Sequence, residues 1–285
     1  MPSVPPTGYS LPYIAQPGFD PLISPDAGGW WRRSMAIVKA GWTNLAAIQA
    51  IGAVATVTVQ VPLQLFLAGQ RSGLLPTAPT DGAAPATPNF SALLAFLGLT
   101  LAIAFAAVVV GAVVTIATIH VGVTIAAGGQ PRLGPALLAA ARRAFPLLGW
   151  QLVAGLIMVA GLCACILPFF YLLAVFTLLP AVVAFERTNP ISRCFRLFHG
   201  SLGPAVGRIA AILGIGLGAG ILGSILSGAV GAAGGLAPTS ATTSASVAAT
   251  VVSTLVSAVI AGGAAVLTGP LTLAAYADLR AGSNR

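Results

Sequence analysis

The chain has 285 residues, of which 57% are hydrophobic and only 6% are charged, and its mean hydropathy is +0.97. A soluble domain carries about 25% charged residues, so this composition excludes a soluble globular protein and predicts an integral membrane protein. The formal net charge is +8, and we interpret this excess as the mark of cytoplasmic loops rather than of nucleic-acid binding.

Residues 1–29 come before the first apolar segment and are rich in proline. They lack the basic region and apolar core that mark a cleavable signal peptide. Proline at this density favours a solvated, extended chain, so we predict a disordered cytoplasmic tail. A second, short tail is predicted over residues 281–285. Three aromatic side chains between the prolines are alternative docking points for a partner: Tyr9, Tyr13 and Phe19.

Six apolar segments follow, and together they predict an all-α, six-span membrane domain over residues 30–280. A helix that crosses a bilayer takes about 20 residues. The second segment is far longer than this, so it must tilt, bend or extend beyond the bilayer. We expect extension, because polar side chains collect near its end. The predicted spans are residues 45–67, 90–127, 147–167, 169–185, 209–233 and 247–276.

The basic residues predict the orientation of these spans. Twelve of the thirteen lysines and arginines lie before the first span, after the sixth or in alternate connections, and only Arg71 lies elsewhere. Cytoplasmic loops carry the excess of Lys and Arg. We therefore expect a multi-pass protein of the plasma membrane with both termini in the cytoplasm.

Each outward span is preceded by a basic stretch that has an apolar face. In the third stretch, Asn189 can cap a helix, Pro190 fits its first position and Gly200 can end it. Apolar side chains at helical spacing then share one face and arginines another, as in a helix that lies in the headgroup layer. We predict three such interfacial helices and a weak threefold repeat of interfacial helix, outward span and return span. The stretches are residues 30–45, 134–150 and 190–204.

Glycines recur at four-residue spacing in the fifth span, residues 209–233. Small residues at this spacing let membrane helices approach closely. The GxxxG pattern therefore predicts that this span is central in the bundle or forms a seam with a second copy or another protein.

Residues that could support catalysis are sparse. The chain has five acidic residues and two histidines, and no two of them stand at a ligand spacing. It contains no P-loop, GxSxG or HExxH pattern. We interpret its three cysteines as small packing residues, since they form no CxxC pair. The sequence therefore predicts no enzyme activity, no cofactor and no metal site.

One cluster of charge stands out where the fourth span ends. Glu186, the only glutamate, lies there, and it is followed by Arg187, Arg193, Arg196 and His199. We interpret Glu186 as a structural latch that pairs with an arginine and pins the interfacial helices together. The alternative is a site for a cation or a basic headgroup.

Two further positions carry polar groups near membrane segments. Asp278 and Arg280 form a second cluster after Tyr276. His120 is placed well inside an apolar run, which makes it a candidate for an intramembrane polar site. The alternative is a histidine at the cytoplasmic end of an over-long helix, bonded to a neighbour or hydrated.

The stretch LPAVVAFERTNPISRCFRLFHGSLGP, from Leu179 to Pro204, resembles a family of bacterial, largely actinobacterial, six-span proteins. The family carries the label "glycerophosphoryl diester phosphodiesterase membrane domain", and uncharacterised YciC-like membrane proteins look related to it. The ending AAYADLR is similar to the family's tyrosine-x-Asp-Leu-Arg close, whereas Cys194 stands where the family usually has serine. The matching positions are Pro180, Glu186, Arg193, Leu197 and Gly200.

The resemblance implies a membrane domain without the soluble barrel that carries catalysis in such fusions, because this chain lacks the clustered acids of that barrel. Two functions then stay open. The first is a non-enzymatic scaffold, accessory or lipid-interacting module at the cytoplasmic leaflet, with anionic headgroups or a protein as partner. The second is a transporter or permease component for a small molecule or lipid, which the long second span and the glycine-rich fifth would suit.

Overall fold

The computed structural model describes residues 22–24, 26–74, 90–200, 202–233 and 244–283, and every regular element in these ranges is α-helical. There are eight helices in this part of the chain. They are α1 (Ala27–Leu74), α2 (Phe90–Ala126), α3 (Leu133–Ala164), α4 (Ile166–Phe176), α5 (Leu179–Phe185), α6 (Pro190–Gly200), α7 (Leu202–Ala233) and α8 (Ser244–Ser283).

The prediction of six apolar helices is confirmed, and the chain is a multi-pass membrane protein by the length and composition of these helices. Helices α4 and α5, which meet at a two-residue turn, together provide the fourth candidate span. The six are Ala27–Phe66, Leu93–Ala126, Leu133–Ala164, Ile166–Phe185, Leu202–Ala232 and Val247–Gly282.

The predicted tails are shorter in the structure than in the sequence interpretation. Helix α1 begins at Ala27 rather than after residue 29, and the preceding Ser24 is buried. Helix α8 continues to Ser283, through most of the tail predicted over residues 281–285. Residues 1–21, with the three proposed docking aromatics, lie outside the described part of the chain.

The basic stretches before the outward spans differ from one another in structure. The third forms a helix of its own, α6, which ends at Gly200 as predicted. The first is continuous with α1, although the backbone at Gly41 is non-helical (φ −119°, ψ 16°) and separates it from the apolar part. The second runs on through Pro146 inside α3. The threefold repeat therefore stays a prediction.

The connection between α3 and α4 is a tight break at Cys165, which is extended (φ −176°, ψ 158°). The predicted spans, residues 147–167 and 169–185, place this break slightly later, at Pro168. Pro168 instead lies in the first turn of α4, where its missing N–H would have had no intrahelical partner. The helices approach closely here, since a Cβ added at Gly161 would come within 2.7 Å of Leu172 Cδ1.

The described residues fall into two compact units. The first comprises the described residues up to 50 together with 111–218 and 262–283, and the second comprises the described parts of 51–110 and 219–261. One core of the first unit joins α3, α4, α5, α6, α7 and α8. Its side chains include Val182, Leu197 and Ile209, all of which are almost completely buried.

The glycines of α7 do not pack as we predicted for a central helix. A Cβ added at Gly214, Gly216, Gly218 or Gly220 would meet no described atom within 4 Å beyond its own helical surroundings. The seam with a second copy therefore stays a prediction. In the second unit, α7 contacts α8 instead through Ser227, whose hydroxyl donates to the Ser253 carbonyl (3.1 Å) and pairs with the Ser257 hydroxyl.

The close approach at Gly269 generates a stability prediction. A Cβ there would lie 2.5 Å from Thr118 Cγ2. Thr118 cannot rotate away without loss, because its hydroxyl donates to the Val114 carbonyl (2.8 Å) and accepts from Gln49 Nε2 (3.1 Å). We expect Gly269→Ala to lower the free energy of unfolding by about 1–3 kcal/mol. The matched control is Gly263→Ala, because that position on the same helix has open space.

The measurement is thermal or SDS unfolding in detergent, followed by tryptophan fluorescence. Equal stability of the two alanine variants would contradict the packing of α8 on α2 at this point.

Candidate functional site

The turn between α5 and α6 positions Glu186. Glu186 ends α5 in an extended conformation (φ −113°, ψ 148°), and α6 begins four residues later. The predicted cap is confirmed, since Asn189 Oδ1 accepts from the backbone N–H groups of Ile191 (3.1 Å) and Ser192 (3.4 Å). Because the cap fixes where α6 starts, it also fixes which of its side chains faces back toward Glu186.

Glu186 is held by three side chains, and we call Glu186, Thr188, Arg193 and Tyr276 the Glu186 latch. Arg193 Nε donates to both carboxylate oxygens, at 2.8 and 3.1 Å. The Tyr276 hydroxyl donates to Oε1 at 2.7 Å, and Thr188 Oγ1 to Oε2 at 3.4 Å. The side chains of Arg193 and Glu186 are only 16% and 13% exposed. The latch therefore joins the α5–α6 turn to α8.

Only two of the five residues in the predicted cluster, Glu186 and Arg193, belong to the latch. Arg187 and Arg196 are exposed and take no part in the ion pairs described in this structure. Tyr276 was missed as a latch residue, although it adjoins the second predicted cluster. Its ring stacks on Phe185, with centroids 5.5 Å apart, so the residue before Glu186 also contacts α8.

Asp278 belongs to a second, more deeply buried ion pair. Arg208 Nη1 of α7 lies 3.1 Å from Asp278 Oδ2, and the two side chains are 7% and 2% exposed. The backbone N–H of Ser24 donates to Asp278 Oδ1, and Arg208 Nη2 donates to the Ser24 carbonyl at 3.4 Å. Arg208 was not predicted as the partner of Asp278. This pair connects α7, α8 and the segment before α1.

The same segment starts α1. Asp26 Oδ1 accepts from the backbone N–H of Gly29 at 3.1 Å, while the Ser24 hydroxyl donates to the Asp26 carbonyl at 3.1 Å. An acidic cap also suits the positive end of the helix dipole. Trp30, in the first turn, donates its indole N–H to the Leu271 carbonyl of α8 at 3.1 Å. The start of α1 is thus fastened to α8 at two places.

Two more polar contacts surround α5 and α6. Arg143 of α3 donates to the Ala184 carbonyl, so a cation satisfies the C-terminal end of α5. His199 Nδ1 lies 2.8 Å from the Phe195 carbonyl, and Nε2 lies 3.1 Å from the Tyr171 hydroxyl. Since a carbonyl only accepts, Nδ1 donates to Phe195, and Nε2 forms a hydrogen bond with the Tyr171 hydroxyl.

Cys194 lies fully buried beneath the latch. Burial raises the pKa of its thiol to about 12, and the nearby Glu186 carboxylate adds to the effect. The thiol therefore stays protonated at neutral pH, which agrees with its interpretation as a packing residue. Cys163 and Cys165 are exposed in this structure.

His120 is exposed on the surface of α2. Its backbone carbonyl accepts from the Thr124 hydroxyl at 2.9 Å. Its side chain does not line the pocket described next, so that cavity does not connect His120 with the Glu186 latch.

A pocket of about 370 Å³ lies next to the latch. Phe185, Tyr276 and Arg280 belong to its lining, whereas Glu186 itself does not. Across the described residues, no group of three or more His, Cys, Asp or Glu side chains could hold a metal ion. In this region, helix ends meet around Glu186 and Asp278, and an arginine balances the charge of each carboxylate. Several other arginines are exposed.

No family model, curated protein or solved structure matches this chain. The resemblance to the six-span membrane-domain family therefore stays a prediction.

The buried pair of Arg208 and Asp278 generates a second stability prediction. Asp278→Asn keeps the size of the side chain and an oxygen for the Ser24 N–H, but it leaves the Arg208 guanidinium buried without its counter-charge. Removing one partner of a buried pair costs about 3–5 kcal/mol. We expect a loss of this size in unfolding followed by tryptophan fluorescence.

The control is Arg187→Gln, which removes an exposed charge and should change stability by less than about 0.5 kcal/mol. Equal unfolding midpoints for the two variants would show that the Arg208–Asp278 pair does not stabilise the fold.

Proposed function

We propose that this chain is a non-enzymatic membrane module that binds anionic lipid headgroups at the cytoplasmic leaflet of the plasma membrane and acts there as a scaffold or accessory for other components. The observation that supports it most is the charge of the first unit. Its described residues include eleven basic side chains and three acidic ones. Glu186 and Asp278 are already paired with arginines, so they do not offset the charge of the others.

Three arginines of this unit are well placed to meet headgroups. Arg187 and Arg196 are exposed and lie between the fourth and fifth candidate spans, and Arg142, also exposed, lies in the N-terminal third of the third candidate span. We call them the exposed arginines. Each Lys or Arg near an anionic leaflet contributes about 1 kcal/mol of attraction. Three together give an electrostatic preference that neutral lipids cannot provide.

Helix α6 supports an interfacial role for this region. It lies outside the six candidate spans, and it buries Pro190, Cys194, Leu197 and Phe198 against the protein. Arg196 and His199 are on its exposed side. Two indole rings of the same unit, Trp31 and Trp42, are 43% and 61% exposed, and tryptophan prefers the level of the headgroups.

The test uses the four tryptophans as reporters of nearby lipid. The full chain is reconstituted in phosphatidylcholine with brominated phosphatidylglycerol or brominated phosphatidylcholine, and quenching gives the relative affinity of the two lipids for the protein surface. We expect a several-fold preference for the anionic lipid. The triple variant Arg142→Gln, Arg187→Gln, Arg196→Gln should lose most of it, because it removes about 1 kcal/mol of attraction at each position.

The control is Arg71→Gln, the one basic residue predicted on the opposite side of the membrane. It should keep the preference. If the triple variant retains the wild-type preference, the exposed arginines do not bind anionic headgroups and the proposal fails.

A further inference from the structure

The pocket beside the Glu186 latch is built from the ends of helices. Phe185 is the last residue of the fourth candidate span, Val123 is close to the end of the second, and Arg280 lies in the last turn of the sixth. Leu22 comes just before the start of the first. The fourth candidate span has 20 residues, the length that crosses a bilayer, so its end at Phe185 places the cavity at the level where acyl chains give way to headgroups.

The lining divides into an apolar part and a cationic part. Leu22, Val123, Phe185 and Leu273 give it an apolar wall, and Arg280 provides a positive charge. A guanidinium carries five N–H donors, so it can bind a phosphate in addition to its contacts within the protein. A cavity with these two parts is complementary to an amphiphile that has a negative headgroup.

Two acids lie near the pocket, and each is paired with an arginine that does not line it. Tyr276 lines the pocket, but its hydroxyl is turned to Glu186, whose charge is balanced by Arg193. Asp278, two residues from Arg280, is balanced by Arg208. The charged side chain in the lining of the pocket is that of Arg280.

The size of the pocket limits what part of a lipid it can hold. At about 370 Å³ it is at the lower end of the range of about 300–1,000 Å³ that is typical of ligand pockets. A phospholipid with two chains is larger than this cavity. Only the phosphate and the adjoining part of one acyl chain would be enclosed.

We infer that this pocket binds one phospholipid with a net negative headgroup, with its phosphate against Arg280 and the first part of an acyl chain along the apolar wall. The inference rests on the proposed function, because it needs these helix ends to lie at the membrane surface. It goes further in assigning one discrete, saturable site in place of a general preference for anionic lipid.

The test is native mass spectrometry of the full chain in detergent, titrated with phosphatidylglycerol or with phosphatidylcholine of the same acyl chains. We expect a single saturable adduct with phosphatidylglycerol and at least tenfold weaker binding of phosphatidylcholine. Ala277→Trp, which fills the pocket, and Arg280→Gln, which removes its charge but keeps its shape, should each weaken the adduct at least tenfold. Soluble glycerol phosphate should not displace the lipid.

Two matched variants serve as controls. Ala261→Trp places the same bulk at an exposed position of α8, and Arg71→Gln removes a charge far from the lining in sequence. Both should keep the adduct. Arg280→Gln keeps the test decisive if the bulky change at Ala277 impairs folding.

Three results would overturn the inference: an intact adduct in the folded Ala277→Trp or Arg280→Gln variant, equal binding of the two lipids, or displacement by glycerol phosphate. The quenching measurement separates this inference from the proposed function. Ala277→Trp should keep the general anionic preference, whereas the triple variant at the exposed arginines should lose that preference and keep the single adduct.

Discussion

A carboxylate inside an apolar protein must be paired, because an isolated charge removed from water costs several kcal/mol. Two carboxylates at the ends of the candidate spans meet this constraint in the same way. Glu186 is bound by Arg193 and Tyr276, and Asp278 by Arg208 and the Ser24 N–H. In each case the partners come from other helices or segments. The pairing requirement therefore determines where α6, α7, α8 and the start of α1 meet.

The same pairing also shapes the rest of the first unit. The two arginines that neutralise the acids are largely buried, whereas Arg187 and Arg196 are exposed and Arg280 lines the pocket. The stack of Phe185 on Tyr276 closes the gap between α5 and α8 and forms one side of that pocket. The latch, the exposed arginines and the pocket are thus three consequences of one arrangement of helix ends.

Much of this arrangement could be predicted where the interactions are local in sequence. Six apolar helices follow from composition and length, and the contact of Glu186 with Arg193 spans only seven residues across a capped turn. The contacts that sequence reasoning missed are distant: Tyr276 lies 90 residues from Glu186, and Ser24 lies 254 residues from Asp278. The glycines of α7 were predicted to lie in the centre of the bundle or at a seam with a second copy or another protein, and the seam stays a prediction. Their spacing allows close packing, but the described helices leave open space beside several of them.

The central claim is that the Glu186 latch couples the α5–α6 turn to its partners, and a double-mutant cycle tests it most directly. Glu186→Gln, Arg193→Gln and the double variant are compared by reversible unfolding in detergent. The account predicts that each single change lowers stability by about 1.5–3 kcal/mol, and that the double variant is no less stable than either single variant. Additive losses, with a coupling energy near zero, would contradict it.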